Sequence, residues 1–335
     1  MAVRVAINGF GRIGRLVLRA ILENNRKDVD VIAINDLGSI ASNVHMLKYD
    51  SVHGPLKQNV EVFDTGFDAG TGLIRVFSEP TPEKLPWREM NIDVVMECSG
   101  RFTHRDKAAA HLEAGAARVL VSAPCTDADY TVVYGVNHYG IKSEHAVVSN
   151  ASCTTNCLAP VAHVLDENIG IDKGFMTTVH AYTADQRLVD TLHSDLHRAR
   201  AAALSMIPSS TGAAKAVGLV LPKLKGRLDG TAIRVPTPNV SLVDLKVVLR
   251  RPTTVDEIHD YIRKASVSYL KDVLGICDEP LVSSDFNHNP YSSIFDMSQT
   301  FVIDGTFARI LSWYDNEWGF ANRMSDTAVA MGKLI

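Results

Sequence analysis

The stretch Gly9-Phe10-Gly11-Arg12-Ile13-Gly14 decides the fold, because it stands between a strand pattern and a helix pattern. Residues 3–8 are a short run rich in β-branched side chains, and residues 15–23 have the apolar spacing of a helix. In a dinucleotide-binding unit the first glycine allows a tight turn, the second admits a pyrophosphate to the backbone, and the third permits close helix–strand packing. The glycines at these three places are Gly9, Gly11 and Gly14. The sequence therefore predicts a phosphate site at the helix N-terminus.

An acidic residue follows this motif at the distance that ribose recognition needs. A second strand is predicted from Val29 to Ile34 and ends in Asn35-Asp36, about 20 residues beyond the glycines. A carboxylate there accepts hydrogen bonds from a ribose diol and repels a 2′-phosphate, so Asp36 predicts NAD rather than NADP. A glycine turn in another kind of α/β unit is the weaker interpretation.

Strand and helix patterns continue to alternate through the first half of the chain. Strands are predicted at 92–97 and 118–122, and Thr103 to Asp106 predicts a capping box that opens a helix running through Ala114. Such alternation is typical of a doubly wound parallel sheet, with ligands at the carboxyl ends of the strands. Gly100, Phe102 and Ser122 lie at such ends. Phe102 fits either the flank of an adenine or a loop position packed on its own domain.

A cysteine begins the next predicted helix, in Ser149-Asn150-Ala151-Ser152-Cys153-Thr154. Leu158, Val161, Ala162 and Leu165 follow at the spacing of a buried helical face, and the pattern continues through Pro160. Ser152 is a good N-cap, and a helix N-terminus lowers the pKa of a thiol. Cys153 is therefore a candidate nucleophile. The alternative is a small buried structural thiol, but the Thr, Ser and Asn neighbours suit a binding site better.

The second half of the chain predicts a different kind of sheet. Residues 175–182 form a strand pattern with His180 near its end, and residues 240–249 alternate apolar and polar side chains. This alternation favours a half-buried, largely antiparallel sheet. Several cationic and hydroxyl residues of this half suit phosphate, although each alone equally suits a solvated surface. They are Thr183, Arg198, Arg200, Ser209, Thr211, Gly212 and Arg234.

Composition excludes several classes of function. The chain has 335 residues, enough for two domains, and its net charge of −4 gives no basic footprint for nucleic acid. No apolar stretch approaches eighteen residues, so no membrane span is expected. The five cysteines form no C-x-x-C pair and no signal peptide is apparent, which together favour a reducing cytoplasm. His193 and His197 lack a third ligand nearby, so no metal is predicted.

Seven blocks of this sequence resemble the phosphorylating glyceraldehyde-3-phosphate dehydrogenase family, in the family's order and over essentially the whole chain. The blocks are Asn8–Gly14, Asn35–Leu37, Ser149–Asn156, Thr178–His180, Pro208–Lys215, Arg234–Thr237 and Trp313–Glu317. The eight-residue block around Cys153 is the most specific. The resemblance implies a homotetrameric, cytoplasmic enzyme of glycolysis with a Rossmann domain and an α+β catalytic domain. It implies a dinucleotide-binding domain at 1–151, completed by a C-terminal helix at 316–335, and a catalytic domain at 152–315.

The resemblance also implies roles for particular residues. Cys153 would be the nucleophile and His180 its activating base. Those that would hold substrate and inorganic phosphate are Ser152, Thr154, Thr183, Arg198, Thr211, Gly212 and Arg234. Those that would hold NAD are Arg12, Ile13, Asp36, Ser122 and Asn316. Residues 182–204 resemble the family's S-shaped loop, which reaches the cofactor of a neighbouring subunit.

Three alternatives stay open at this point. Erythrose-4-phosphate dehydrogenase looks similar across the cysteine block, although Asp36 and Thr183 fit the glyceraldehyde-3-phosphate enzyme better. A catalytically idle NAD-binding interaction protein is a rival of another class. Either Arg198 or Arg200 is the arginine for inorganic phosphate. At residues 78–81 many family members carry an arginine that this chain lacks, so no cofactor contact is predicted there.

Overall fold

The computed structural model of the chain describes residues 2–335, and these divide into two units. The first unit extends to Ser152 and also includes Phe320–Ile335, and the second unit is Cys153–Gly319. The sequence analysis places the corresponding limits after residues 151 and 315.

The first unit is built on a sheet whose central strands are parallel. Its strands are β1 (Val3–Asn8), β2 (Val29–Asn35), β3 (Glu61–Phe63), β4 (Gly66–Asp68), β5 (Leu73–Phe77), β6 (Val94–Glu97), β7 (Arg118–Val121), β8 (Tyr130–Thr131) and β9 (Val147–Ser149). Within residues 2–335 the order is β3-β4-β5-β2-β1-β6-β7-β9-β8, and only the pairs that involve β4 are antiparallel. Asn8 pairs with Asn35 on one side and with Glu97 on the other. The carboxyl ends of β1, β2 and β6 therefore lie side by side, as a doubly wound sheet requires for ligand binding.

The helices between these strands are α1 (Arg12–Glu23), α2 (Ile40–Lys48), α3 (Arg105–Ala108) and α4 (Ala110–Glu113). Helix α1 begins directly after Gly11, three residues before the predicted start. The predicted capping box at Thr103 is wrong, and the helix predicted to run through Ala114 is present as two short helices, α3 and α4, that meet at Ala109. The backbone there pairs instead with Thr126, which accepts from Arg105 N–H and donates to the Thr103 carbonyl, each at 2.9 Å. His104 consequently caps α3 without a side-chain hydrogen bond.

The second unit contains a mixed, largely antiparallel sheet, as predicted. Its strands are β10 (Ile171–Ala181), β11 (Ile207–Ser209), β12 (Leu228–Val235), β13 (Ser241–Leu249), β14 (Leu274–Cys277), β15 (Ser293–Asp296), β16 (Phe301–Ile303) and β17 (Phe307–Tyr314). The order through the described part of the chain is β11-β12-β10-β13-β17-β15-β14, with β16 on β17. The alternation predicted for β13 is confirmed, because its odd-numbered residues are buried and its even-numbered residues are half-buried.

Three helices belong to this unit, α5 (Cys153–Asn168), α6 (Ala213–Val220) and α7 (Val255–Val267). The predicted apolar face of α5 is fully buried, and the helix continues through Pro160. Short 3₁₀ helices occur in both units at Pro82–Lys84, His138–Gly140, Pro222–Leu224, Ser283–Phe286 and Met297–Gln299.

Helix α8 (Trp318–Gly332) packs from Phe320 onward in the first unit. The Thr327 hydroxyl donates to Asn150 Oδ1 at 2.9 Å, and a Cβ on Gly332 would meet a Val3 methyl at 2.3 Å. Glycine at 332 therefore allows the helix to approach β1 closely. Across residues 2–335, no helix combines the length and the apolar character needed to cross a membrane.

Candidate active site

Cys153 is the first residue of α5, and the backbone before it is strained. Ala151, two residues earlier, has a φ of 56°, which is the left-handed region that non-glycine residues seldom adopt. The Ser149 hydroxyl supports this turn by accepting the Ala151 N–H at 3.1 Å. Unpaired N–H groups of a helix's first turn carry partial positive charge. The turn therefore presents the thiol beside groups that stabilise negative charge.

His180 lies at the end of β10 and faces this thiol. Its Nε2 is 3.5 Å from Cys153 Sγ, and its Nδ1 is 2.6 Å from the Ala181 carbonyl oxygen. A carbonyl only accepts, so we assign the imidazole proton to Nδ1, which leaves the lone pair of Nε2 directed at the thiol. Arg234 Nη1 lies 3.1 Å from the same Nδ1 but donates to Ala181 O and Thr183 Oγ1 instead.

Burial keeps this pair uncharged. It lowers the pKa of His180 to about 3, and the charge of Arg234 acts in the same direction. Burial also raises the pKa of Cys153, and this outweighs the lowering effects of Arg234 and of hydrogen bonds from Thr154. The lowered thiol pKa predicted from the helix N-terminus is therefore wrong for this structure. These shifts favour a neutral pair, a thiol beside an imidazole whose Nε2 is placed to accept its proton.

Cys157 does not share this environment. It is fully buried one turn further along α5, where its sulfur lies 3.6 Å from Ser293 Oγ and 3.8 Å from the Ser312 carbonyl. Burial raises the pKa of Cys157 to about 12. A thiolate is the reactive form of cysteine, so Cys157 is a structural residue.

Tyr314 joins the two elements that carry the pair. Its hydroxyl, fully buried, lies 2.8 Å from Thr154 Oγ1 on α5 and 2.9 Å from Thr178 Oγ1 on β10. Its ring stands edge-on to the His180 imidazole at 6.0 Å. The Thr154 side chain, predicted to hold substrate, is thus buried against Tyr314. Tyr314 lies in the block Trp313–Glu317, but the sequence predicts no role for it.

One group of polar side chains surrounds Arg234. Arg234 Nη1 donates to Thr183 Oγ1 at 3.0 Å, and the Thr183 hydroxyl in turn bonds Asp185. Arg198 Nη1 lies 2.6 Å from Asp185 Oδ2, and its Nε donates to Ser209 Oγ at 2.8 Å. The structure therefore brings Arg198 to this group. Sequence reasoning missed the bridging role of Asp185, although it lies two residues beyond Thr183.

Arg200 lies outside the group around Arg234. Its Nε pairs with Asp190 Oδ2 at 2.6 Å, and both side chains are largely exposed. Of the two arginines left open by the sequence, Arg198 is the one that contacts Ser209 directly and is linked to Thr183 through Asp185.

Thr211 and Gly212 form the start of α6. The Thr211 hydroxyl accepts the Ala213 N–H at 3.2 Å, and Thr155 Oγ1 on α5 donates to the Ala213 carbonyl at 3.4 Å. The N-terminus of α6 therefore lies beside the first turn of α5. Ser152, the remaining predicted phosphate residue, is the last residue of the first unit before Cys153.

The glycine motif forms one wall of a cavity of about 260 Å³ in the first unit. Gly9 has a φ of 89°, and a Cβ on it would lie 2.5 Å from Ser99 Cα. A Cβ on Gly14 would lie 2.1 Å from the Gly9 carbonyl oxygen. A Cβ on Gly11 would meet no atom within 4 Å, so its backbone is open to a ligand. These are the three properties that a pyrophosphate cradle requires.

Asp36 lies in the same cavity with its carboxylate fixed by backbone donors. Oδ2 accepts the Phe10 N–H and Oδ1 accepts the Gly38 N–H, both at 2.9 Å. Each oxygen keeps a lone pair for a further donor such as a ribose hydroxyl. Leu37 lines the cavity beside it and brings no positive charge. The residues present therefore fit the adenosine half of a dinucleotide that carries no 2′-phosphate.

Other predicted cofactor residues take different places. Phe102 lines the cavity, whereas Arg12, Ile13, Gly14, Gly100 and Ser122 are not part of its lining. Arg12 Nη1 pairs with Asp50 at 2.5 Å, and this contact helps to lower the pKa of the Asp50 carboxyl to about 2. Asn316 belongs to the second unit, where its Oδ1 accepts from Ser241 Oγ at 2.8 Å.

Sequence reasoning missed part of the cavity wall. The lining residues without a predicted role are Asn8, Asn35, Leu37, Glu79, Pro80, Pro82, Cys98, Ser99 and Arg101. Asn8 and Asn35 stand at strand ends beside the motif, which is a signal that can be read from sequence. Glu79 and Pro80 come from the 78–81 loop, for which no contact is predicted. Asn35 Oδ1 accepts the Glu79 N–H at 2.9 Å and so holds this loop at the cavity.

The glycine cradle and the cysteine–histidine pair define a class of protein, the two-domain dehydrogenases that use a cysteine nucleophile. Comparison with known families gives the particular member of this class. Residues 3–105 match the glyceraldehyde 3-phosphate dehydrogenase NAD binding domain, and residues 152–316 match the C-terminal domain of the same family. The chain belongs to the glyceraldehyde 3-phosphate dehydrogenase family.

Individual relatives are similar over their full length. The glyceraldehyde-3-phosphate dehydrogenase of Xanthobacter flavus is 64% identical over 334 residues, and that of Cereibacter sphaeroides is 63% identical over 335 residues, with both chains covered completely in each case. The enzyme of the same name from Geobacillus stearothermophilus is 54% identical over 330 residues, 98% of each chain.

The two thiols of α5 predict different reactivity. Iodoacetate should label Cys153 and inactivate the protein, because Cys153 is only half-buried and its sulfur lies beside His180. Cys157 is fully buried and should react much more slowly. Peptide mapping of partly inactivated protein gives the labelling rate at each cysteine.

Cys153→Ser should abolish turnover while NAD still binds. Faster labelling at Cys157 than at Cys153 would overturn the assignment.

Proposed function

We propose that this protein oxidises D-glyceraldehyde 3-phosphate and phosphorylates the product, with NAD and inorganic phosphate, to give 1,3-bisphosphoglycerate. The observation that carries the proposal is the Cys153–His180 contact beside two arginines, in a chain that also holds the glycine cradle and Asp36. Family membership and the full-length relatives support it.

The first chemical step is addition of the Cys153 thiol to the aldehyde carbon. His180 Nε2 accepts the thiol proton while the C–S bond forms, and the first-turn N–H groups of α5 stabilise the charge on the former carbonyl oxygen. The product is the oxyanion of a thiohemiacetal on Cys153, and the proton stays on His180. When bound, NAD would supply the hydride acceptor that turns this adduct into a thioester. Inorganic phosphate then attacks the thioester carbon, Cys153 leaves as the thiolate and regains its proton from His180, and an acyl phosphate is released.

Two anion sites fit the two phosphates of this reaction. We assign Arg234 and Thr183 to the phosphate that the aldehyde carries, since they contact each other next to His180. We assign Arg198, Thr211 and Gly212 to inorganic phosphate. Arg198 is anchored on Ser209, which lies two residues before Thr211. Arginine and helix N-terminal N–H groups are both strong phosphate donors.

A phosphate-dependent burst tests the reaction itself. Without phosphate, NADH should form in a rapid burst of about one equivalent per active site and then nearly stop, because the thioester has no acceptor other than water. With phosphate, turnover should continue. The ratio of kcat/KM for glyceraldehyde 3-phosphate and erythrose 4-phosphate gives the preferred aldehyde. Full turnover without phosphate would contradict the proposal, and a preference for erythrose 4-phosphate would change the substrate assigned.

The two arginines provide a matched test of the phosphate site. Arg198→Ala should raise the KM for inorganic phosphate by about 10-fold or more, with little change in the KM for NAD, because one charge-assisted contact is lost. Arg200→Ala removes an exposed arginine two residues away and serves as the control. Initial rates over a phosphate series measure both effects. If Arg200→Ala has the larger effect, Arg198 is not the phosphate ligand.

Asp36 should set the choice of cofactor. We expect a strong preference for NAD over NADP, relaxed by Asp36→Ala, because a 2′-phosphate at this carboxylate meets like charge at short range. The ratio of kcat/KM for the two cofactors is the measurement, since any general loosening of the cavity affects both. Leu37→Ala alters the same wall without a change in charge and should leave the ratio unchanged. An unchanged ratio in Asp36→Ala would remove Asp36 from the site.

We further propose that the protein is a cytoplasmic homotetramer. Residues 182–204 expose apolar side chains to an unusual degree, with Leu192 90%, Leu204 85% and Leu188 84% exposed. A second copy of this chain would bury them, as the S-shaped loop of the family implies. The five cysteines are free thiols, which suits a reducing compartment.

Leu192→Glu should lower the mass of the assembly, because a charge in an apolar interface is costly. Light scattering after size-exclusion chromatography measures this mass. Leu73→Glu, at an exposed site on β5 of the first unit, is the control and should leave the mass unchanged. A monomeric parent protein, or a tetramer that tolerates Leu192→Glu, would contradict the proposed contact.

A further inference from the structure

A buried carboxylate lies behind the wall of the Asp36 cavity. Glu97 is the last residue of β6, its side chain is 1% exposed, and its neighbours across the sheet are Asn8 on β1 and Val121 on β7. Burial of an ionised carboxylate is unfavourable unless hydrogen bonds replace its lost water. The partners of Glu97 therefore indicate what the side chain is for.

Both carboxylate oxygens of Glu97 are fully engaged. Oε1 accepts the Ser99 backbone N–H at 2.8 Å and the Ser99 hydroxyl at 2.5 Å. Oε2 accepts from the Asn8 side-chain amide at 2.5 Å and lies 2.9 Å from His111 Nε2. Four donors thus converge on one carboxylate, which is its full capacity.

The fourth donor is a neutral imidazole. The indole N–H of Trp87 can only donate, and it lies 3.1 Å from His111 Nδ1. Nδ1 must therefore carry the lone pair, and the ring proton is on Nε2, where it is donated to Glu97. His111 and Trp87 are both completely buried. All four groups that satisfy the Glu97 carboxylate are consequently uncharged.

The network extends from Glu97 into the cavity wall. Asn8 Oδ1 accepts from the Asn35 amide at 2.7 Å, and that amide also donates to the Glu79 carbonyl at 2.9 Å. Asn8, Asn35, Glu79 and Ser99 all line the cavity and come from four separate segments of the chain. The His111 ring also stands edge-on to that of Phe102, another lining residue, at 6.2 Å. Glu97 bonds two of these wall segments directly, at Asn8 and Ser99, and is linked to the other two through the Asn8–Asn35–Glu79 hydrogen bonds.

We infer that Glu97 is a positioning residue for the adenosine half of NAD. Its negative charge is needed because each of its oxygens faces two donors. Glutamine has the same shape, but its amide would turn N–H groups toward donors on one side, so one part of the wall must move. The inference rests on the proposed placement of the adenosine half in the Asp36 cavity.

Calorimetric titration of the purified protein with NAD and with ADP-ribose tests the inference. ADP-ribose carries the adenosine half without the nicotinamide. Glu97→Gln should weaken both ligands by the same factor, on the order of 10-fold. At saturating NAD, kcat and the KM for the aldehyde should stay within twofold of the parent. Val94→Ala, at a buried site on the opposite face of β6, should lower the melting temperature but leave both affinities unchanged.

A second variant keeps the test decisive if Glu97→Gln does not fold. His111→Phe retains the ring beside Phe102 but removes one donor to Glu97, and His111 does not line the cavity. It should weaken NAD and ADP-ribose equally, by a smaller factor.

The possible failures can be told apart. If Asp36→Ala weakens ADP-ribose binding while Glu97→Gln and His111→Phe leave it within twofold of the parent, Glu97 has no positioning role. If Val94→Ala lowers the affinity for NAD and ADP-ribose as much as Glu97→Gln does, Glu97 only stabilises the fold and has no positioning role. If none of the variants, Asp36→Ala included, changes ADP-ribose binding, the proposed placement of the cofactor fails as well.

Discussion

The proposed chemistry of this protein depends on a single contact, 3.5 Å between Cys153 Sγ and His180 Nε2. The contact forms only if the first residue of α5 lies beside the end of β10. Neither element determines the position of the other. The Tyr314 hydroxyl supplies that constraint, because it bonds Thr154 beside the cysteine and Thr178 near the histidine. Burial of the same region raises the pKa of Cys153 and lowers that of His180, which favours the neutral form of both groups.

In each of the two units we assign anions to a helix N-terminus. In the first unit the backbone is open at Gly11, directly before the first residue of α1. In the second, the N-terminus of α6 lies beside that of α5, with the arginines nearby. In our proposal the same backbone property binds a dinucleotide in one unit and the reacting anions in the other.

The sequence predicts the features that depend on local pattern. The strand–glycine–helix unit, the alternation along β13 and the buried face of α5 all follow from spacing along the chain. Features that depend on distant partners are not predictable in this way. The pairing of residues 103–105 with Thr126 replaces the expected cap, and burial reverses the expected shift in the Cys153 pKa. No sequence pattern distinguishes Glu97 from other glutamates. Its contacts with Asn8, Ser99 and His111 are visible only in the structure.

The central claim is that His180 takes the proton from Cys153 during attack on the aldehyde. Single-turnover acylation of His180→Asn, followed by NADH formation in a stopped-flow instrument with saturating NAD, tests it most directly. Loss of the positioned base should slow acylation by roughly 10²–10⁴-fold while NAD affinity stays unchanged. An acylation rate within twofold of the parent would show that another group accepts the proton.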